Sequence, residues 1–123
     1  MSRYLVVGLG GFVGAIARYA IGVWVETFWR RDFPLATFLI NVTGCFIIGF
    51  VLTAVAERAP IDPLWRLLIA TGFVGAYTTF STFEWETHRL TESGALGWAL
   101  ANVLASILIG FVAVRLGVQL GRR

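Results

Sequence analysis

The sequence contains no lysine, and it has one cysteine, one histidine and only 14% charged residues over its 123 positions. The single cysteine, Cys45, excludes an intrachain disulfide and a cysteine-based metal cage. The single histidine, His88, excludes a multi-histidine metal site within one chain. All the basic residues are arginines, which lie mostly near the chain ends and in short connectors. The basic stripe of a nucleic-acid-binding protein is therefore missing, and we expect no nucleic acid among the partners.

Apolar residues dominate what is present. They make up 58% of the chain, which also contains 14 glycines, ten phenylalanines, five tryptophans and three tyrosines. Soluble globular chains contain about 45–50% apolar and about 25% charged residues, so both proportions deviate in the direction of a membrane protein. Glycine and interfacial tryptophan are also enriched in membrane-spanning helices. The composition predicts an integral membrane protein in contact with the lipid bilayer.

Four segments are long and apolar enough to cross a bilayer, which takes about 20 mainly apolar residues. They cover residues 4–28, 35–56, 64–87 and 94–118, and all three prolines fall between them. We therefore predict an all-α membrane protein with a single transmembrane domain over residues 1–123. The even number of spans puts both termini on one side. That side holds six arginines and the other side three, a weak bias that favours cytoplasmic termini and leaves insertion in both orientations open.

The first span carries a stripe of small residues interrupted by a charge. Its members recur every four residues and so share one helix face: Gly10, Gly14, Arg18 and Gly22. Glycines at this spacing favour close helix packing in lipid. A charge such as Arg18 inside a span is costly, so it reaches the membrane interface, draws anions into a watery vestibule, or clamps a carboxylate such as Glu84 or Glu86.

Two other spans carry polar residues at membrane depth. Thr37, Asn41 and Gly44 share a face of the second span, and Asn102 and Ser106 lie on a small-residue face of the fourth. A buried amide must find hydrogen-bond partners or cost several kcal/mol. For Asn41 the alternatives are an interhelical hydrogen bond and a pore-lining donor. For Asn102 and Ser106 they are packing and the lining of an ion pathway.

The third span is unlike a lipid-facing helix. Gly72 and Gly75 are followed by a run of hydroxyl and β-branched residues, which weakens helix continuity near mid-membrane. Non-helical backbone at that depth is tolerated only when it is buried in protein or lines a cavity. A break there frees carbonyl oxygens, which are ligands suited to a hard cation.

Helical spacing after the break separates two faces. Thr79, Thr82 and Glu86 form a polar face, and Phe80 and Phe83 form a neighbouring aromatic face. The edge of a phenyl ring is electropositive, so the two rings can meet a small, partly dehydrated anion. Core packing is the alternative for this pair.

Three motifs in order, on three different spans, resemble those of the Fluc (CrcB) fluoride channel family. They are GFVGAIARY at residues 11–19, TFLINVTG at 37–44 and GFVGAYTTFSTF at 72–83. The resemblance implies an antiparallel, dual-topology homodimer with two fluoride pores. It also implies a structural, non-transported sodium ion at the dimer centre, bound by the backbone carbonyls of Gly75 and Thr78 from both subunits.

The same resemblance implies roles for side chains. Phe80 and Phe83 would coordinate fluoride through their ring edges, and Asn41 would donate to the ion. Further residues of the polar track would be Thr37, Thr79, Ser81, Thr82 and Ser106, with Arg18 and Glu86 as vestibule or structural charges. Some members of the family carry a tyrosine where this chain has Asn102.

The implied function is passive, fluoride-selective export of cytoplasmic fluoride across the cell membrane, with no enzymatic activity. One alternative is a proton-coupled exporter of the small-multidrug type. That mechanism requires a carboxylate near mid-membrane in the first span, where this chain has Arg18, with Glu26 only near the span end. Another alternative is a non-transporting assembly subunit.

Overall fold

The computed structural model describes residues 2–58 and 60–123, and every regular element in this part of the chain is helical. The first two spans are α1 (Arg3–Glu26) and α2 (Leu35–Glu57), and the last is α5 (Leu96–Gly121). Each of these three helices is long and apolar enough to cross a membrane. The segment predicted as the third span is divided into two helices, so the predicted all-helical architecture, with four helical segments and a break in the third, is confirmed.

The first half of the third span, residues 66–77, is called α3 here. It begins as a wide-turned π-helix, Arg66–Val74, and continues as the short α-helix Gly75–Tyr77. The second half is α4 (Phe80–Glu92). Between them Thr78 and Thr79 adopt extended backbone conformations, with φ and ψ of −80° and 158°, and −150° and 117°.

The position of the break differs in one respect from the sequence-based expectation. Gly72 and Gly75 both lie within α3 in helical conformation, and the helix is interrupted three residues later at two threonines. Threonine is β-branched and tolerates extended backbone well. A methyl group at Gly72 would overlap the Val7 carbonyl of α1, so this glycine serves close packing.

Close backbone contacts hold α1 against α3 and α2 against α5. A methyl group at Gly10 would overlap the Leu68 carbonyl, and one at Gly14 would overlap the Phe73 carbonyl. In the second pair, a methyl group at Gly117 would overlap the Phe46 carbonyl. The small-residue faces of α1 and α5 thus bring backbones together, as is typical of helix association in lipid.

The fourth span begins at Leu96 and not at Gly94, and the reason is the turn that ends α4. Gly94 has a positive φ of 80° and follows the last helical residues as a left-handed cap. The Gly94 amide donates to the Thr91 carbonyl at 3.1 Å, and the Ala95 amide donates to the Leu90 carbonyl at 2.8 Å. This is the hydrogen-bond pattern of a Schellman motif, in which glycine avoids the steric cost of the left-handed conformation.

Candidate functional site

The break in the third span is held open by Asn41 of α2. The Thr79 backbone N–H donates to Asn41 Oδ1 at 2.8 Å, and Asn41 Nδ2 donates to the Thr79 carbonyl at 3.0 Å. One side-chain amide therefore pairs with both backbone polar groups of a single extended residue. Of the two alternatives for Asn41, the interhelical hydrogen bond is present. A carboxamide has two N–H donors, so one remains for another acceptor.

Thr79 also forms the N-terminal cap of α4. Its side-chain oxygen accepts the Thr82 backbone N–H at 3.2 Å and donates to the Thr82 hydroxyl at 3.1 Å. This arrangement satisfies one of the amides that a helix N-terminus leaves without an intrahelical partner. The positive end of the α4 dipole lies at the same point, which favours a nearby negative charge.

The backbone carbonyls around the break fall into two groups. The Val74 carbonyl accepts from the amide and the hydroxyl of Thr78, at 3.0 and 2.8 Å, and the Ala76 carbonyl accepts from Arg18 Nε at 3.2 Å. In residues 2–58 and 60–123, no hydrogen bond reaches the carbonyls of Gly75 and Thr78. Those two carbonyls are the ones that the family resemblance links with sodium.

The chemistry of these two carbonyls fits an alkali cation. Carbonyl oxygens of unwound backbone bind sodium in other membrane proteins, where they replace the water around the ion. Among the described residues, no group of three or more His, Cys, Asp or Glu side chains is placed to hold a metal ion. Gly75 is exposed in the single chain, so its carbonyl region is open to a second molecule.

The two phenylalanines differ in burial. The Phe83 side chain packs within its own chain and is 7% exposed, whereas Phe80 is 75% exposed. Their ring centroids lie 5.9 Å apart with an interplanar angle of 45°. Phe80 forms one end of a groove of about 300 Å³, called the phenylalanine groove here. Its other lining residues are Asn41, Gly44, Cys45, Ile48, Val74, Thr78 and Thr79.

A second cavity, called the vestibule cavity here, has a volume of about 380 Å³ and is lined by several charged and hydroxyl side chains. Its lining includes Arg18, Gly22, Glu26, Thr37, Thr82 and Glu86, together with Thr79. The Thr37 hydroxyl donates to Glu86 Oε1, which fixes this carboxyl group at the cavity wall. Thr79, at the helix break, lines both the vestibule cavity and the phenylalanine groove.

Arg18 reaches neither of the carboxylates that the sequence suggested as partners. In the described part of the chain, the one ion pair joins Arg122 to Glu57, and Arg18 donates to the Ala76 carbonyl. Arg18 therefore caps the C-terminal end of α3, where a positive charge is favourable. A guanidinium has five N–H donors, so most of them remain for other acceptors, and Arg18 also lines the vestibule cavity.

The polar residues of α5 are connected to α4. Asn102, which is 1% exposed, donates through Nδ2 to the Thr87 hydroxyl at 2.9 Å and accepts from the Ser106 hydroxyl at 3.4 Å. The Thr87 hydroxyl in turn donates to the Phe83 carbonyl at 2.8 Å. Packing is therefore the observed role of Asn102. Thr87 was not singled out from the sequence, although its position one helical turn after Phe83 was a usable signal.

The remaining predicted pore residue, Ser81, is exposed at the first turn of α4, away from the contacts described above. A second contact missed in the sequence lies at the end of α3. The Tyr77 side chain is 4% exposed, and its hydroxyl lies 2.8 Å from that of Thr43 on α2. The sequence gives no signal for this contact, because residues two apart on a helix, such as Asn41 and Thr43, do not share a face.

Comparison with known proteins decides the family. The model of the family described as CrcB-like protein, Camphor Resistance (CrcB), matches residues 5–118. The chain belongs to the CrcB-like family. A CrcB-like relative from Acidobacterium capsulatum is 50% identical over 121 residues, which is 98% of this chain and 97% of the relative. A relative from Solibacter usitatus is 45% identical, over 98% of this chain and 99% of its own length.

Both of these CrcB-like relatives carry the name Fluoride-specific ion channel FluC, and a relative from Listeria innocua, 40% identical over 98% of each chain, is named Fluoride-specific ion channel FluC 1. The resemblance inferred from the three motifs is thus confirmed. Membership of a family of ion channels makes the chain a multi-pass membrane protein and not an enzyme, and in bacteria such a protein lies in the cell membrane. The multidrug-exporter alternative finds no support.

Proposed function

We propose that this protein is a fluoride-selective passive channel that lets cytoplasmic fluoride leave the cell down its electrochemical gradient. The observation that carries the proposal is that Thr79 lines both the vestibule cavity, which also contains Arg18, and the phenylalanine groove, which also contains Phe80. The names of the relatives, at 40–50% identity over nearly the whole chain, support fluoride as the ion.

The groups along this path suit a small, strongly hydrated anion. A selective pore must replace the water of fluoride with close donors and still bind loosely enough for the ion to leave. The remaining N–H of Asn41 and the hydroxyls of Thr79 and Thr82 offer such donors. The ring edges of Phe80 and Phe83 offer weaker, electropositive contacts beyond them. Thr37 and Glu86 at the wall of the vestibule cavity, together with Ser81 of α4 and Ser106 of α5, are proposed as further parts of the polar track.

Arg18 has two proposed roles. Its Nε–H fixes the end of α3 through the Ala76 carbonyl, and its positive charge raises the local concentration of anions in the vestibule cavity. The path also contains the carboxyl groups of Glu26 and Glu86. The hydrogen bond from Thr37 holds Glu86 against the wall and so limits its repulsion of a passing anion.

The proposed working unit is an antiparallel homodimer. A single chain leaves Phe80 75% exposed and leaves long apolar faces of α1 and α5 uncovered. The Gly75 and Thr78 carbonyls of one chain are also too few to surround a cation. A second copy, inserted in the opposite orientation, would supply two more. A sodium ion held by the four carbonyls would join the two subunits at the centre without being transported.

Efflux from liposomes tests this proposal. Purified protein is reconstituted into vesicles loaded with potassium fluoride, and fluoride release is followed with an electrode after a potassium ionophore is added. We expect rapid fluoride release that depends on the ionophore, and slow release from vesicles loaded with chloride. Protein-free vesicles are the control. Release that needs a proton gradient, equal release of chloride, or no release at all would each contradict the proposal.

A further inference from the structure

The carbonyls proposed to bind sodium, those of Gly75 and Thr78, each lie four residues before an amide that donates to a different acceptor. In an unbroken α-helix each carbonyl accepts from the amide four residues later. The Gly75 carbonyl would therefore pair with the Thr79 amide, and the Thr78 carbonyl with the Thr82 amide. In this structure, the Thr79 amide donates to Asn41 Oδ1 and the Thr82 amide donates to Thr79 Oγ1.

We propose that Asn41 and Thr79 are positioning residues that create the cation site by withdrawing these two amides from its carbonyls. Neither side chain touches the cation in this account, because both act through the backbone. The inference rests on the proposed function, in which those carbonyls bind sodium. It assigns to Asn41 a role separate from donation to fluoride, and it assigns to the Thr79 hydroxyl a role separate from the polar track.

The two hydrogen bonds between Asn41 and Thr79 explain why a carboxamide is needed at this position. A backbone N–H without a partner in apolar surroundings is costly, so the Thr79 amide must pair with some acceptor. If Asn41 Oδ1 were absent, the nearest acceptor along the chain would be the Gly75 carbonyl, and the helix would close over the break. Asn41 Nδ2 at the same time satisfies the Thr79 carbonyl, which keeps this residue extended.

The packing around the break also keeps the helix interrupted at Thr78 and Thr79. A methyl group at Gly44, one turn after Asn41, would overlap the Thr78 methyl group, so α2 approaches the break as closely as a glycine allows. The neighbouring carbonyls of Val74 and Ala76 keep their own donors. Asn41 and Thr79 thus act on the amides that face the Gly75 and Thr78 carbonyls, while the neighbouring Val74 and Ala76 carbonyls stay paired.

Thr79 provides the first test, because serine keeps its hydroxyl group, whereas valine keeps its branched shape and lacks the hydroxyl group. The thermal stability of the purified dimer in detergent is measured against sodium chloride, with N-methylglucamine chloride keeping the ionic strength constant. We expect Thr79→Val to raise the sodium concentration at half-maximal stabilisation about ten-fold, since one competing hydrogen bond per subunit then forms. Thr79→Ser keeps the acceptor for the Thr82 amide and is expected to retain the wild-type response.

Asn41 provides the second test. Asn41→Leu removes the acceptor for the Thr79 amide and is expected to weaken the sodium response about ten-fold or more. Asn41→Asp keeps an oxygen at that position but removes the N–H donors. We expect Asn41→Asp, which keeps the acceptor for the Thr79 amide, to retain more of the sodium response than Asn41→Leu, while its fluoride efflux falls. If Asn41→Leu does not fold, the comparison of the Thr79 variants still decides the question.

The outcomes distinguish this inference from the proposed sodium site on which it rests. A wild-type dimer whose stability is indifferent to sodium would overturn the sodium site and this inference together. A wild-type dimer that responds, with Asn41→Leu and Thr79→Val responding equally, would overturn only this inference. Loss of the response in Thr79→Ser as well as in Thr79→Val would also overturn it, because the hydroxyl acceptor is present in serine.

Discussion

Phe80 and Phe83 lie on the same side of α4, yet a single chain packs them differently. Phe83 is 7% exposed and contributes to the core, whereas Phe80 is 75% exposed and borders the phenylalanine groove. Loss of the two rings is therefore expected to lower the stability of the fold by different amounts, even though both are proposed to contact fluoride. Burial gives a way to separate the part of each ring that stabilises the fold from the part that acts on the ion.

Isoleucine substitutions test this difference. We expect Phe80→Ile and Phe83→Ile both to lower fluoride efflux, because an aliphatic side chain has no electropositive ring edge. Only Phe83→Ile is expected to lower the stability of the protomer as well, by about 1 kcal/mol, because it changes the shape of a packed side chain. Efflux from liposomes and thermal unfolding in detergent measure the two effects. Unchanged efflux in both variants would count against aromatic coordination.

Asn102 is the most buried polar side chain of α5, and its contacts predict a structural role. Asn102→Leu removes the hydrogen bond to Thr87 and the acceptor for Ser106, which we expect to cost about 0.5–2 kcal/mol. Ser106→Ala loses only the 3.4 Å contact and is expected to cost less. Thermal unfolding compares the two variants. An Asn102→Leu protein of wild-type stability whose efflux is lost would instead indicate that the amide lines the pathway.

At the scale of helices, glycine spacing determines how closely α1 approaches α3. We expect Gly14→Ala to destabilise the protein by about 3 kcal/mol, because its methyl group would overlap the Phe73 carbonyl, which cannot move without shifting the backbone of α3. Gly8→Ala is the matched control on the same helix. No atom lies within 4 Å of a methyl group at Gly8, so alanine is expected to stabilise the helix by about 1 kcal/mol.

Thermal unfolding followed by tryptophan fluorescence measures both alanine variants. We expect the two glycine-to-alanine substitutions to change the stability in opposite directions, although they lie less than two helical turns apart. Equal effects would show that the α1–α3 contact does not depend on close backbone approach, and the small-residue stripe would then need another explanation.

The helices themselves followed from patterns that the sequence displays. The lengths of the apolar segments, the prolines in the connectors and the glycine spacing on α1 depend on local physics and were sufficient for the four spans. The break was expected where two glycines precede a run of hydroxyl and β-branched residues; it lies within that run, at Thr78 and Thr79, and both glycines are helical. Its exact place depends on Asn41, a residue of another helix, and local propensity carries no information about such a contact.

The candidate site shows the same limit. The residue types around the vestibule cavity were recognisable because charged and hydroxyl groups are rare at membrane depth. The partner of Arg18 was not recognisable, because it is the backbone carbonyl of Ala76, and a backbone carbonyl has no signature in the sequence. The cap of α4 at Gly94 similarly follows from glycine's tolerance of positive φ, yet the segment between spans was too short for the pattern to choose between ending one helix and starting the next.

At the scale of the whole molecule, one protomer is incomplete in several independent ways. Its proposed cation ligands are half a set, Phe80 projects from its surface, and its apolar faces require lipid or a partner. The arginine distribution leaves insertion in both orientations open, since the side that holds the termini has only three more arginines than the other side. An antiparallel dimer satisfies all of these conditions with a single type of chain.

Labelling from each side of the membrane tests this arrangement. Arg123→Cys in a Cys45→Ser background places one thiol at the end of the chain, beyond α5. We expect a membrane-impermeant maleimide to label about half of the chains in intact cells and the rest only after the membrane is permeabilised, because the weak charge bias allows both orientations. The Cys45→Ser protein without the added thiol is the control. Labelling of nearly all chains from one side would exclude the antiparallel dimer, whatever the outcome of the efflux measurements.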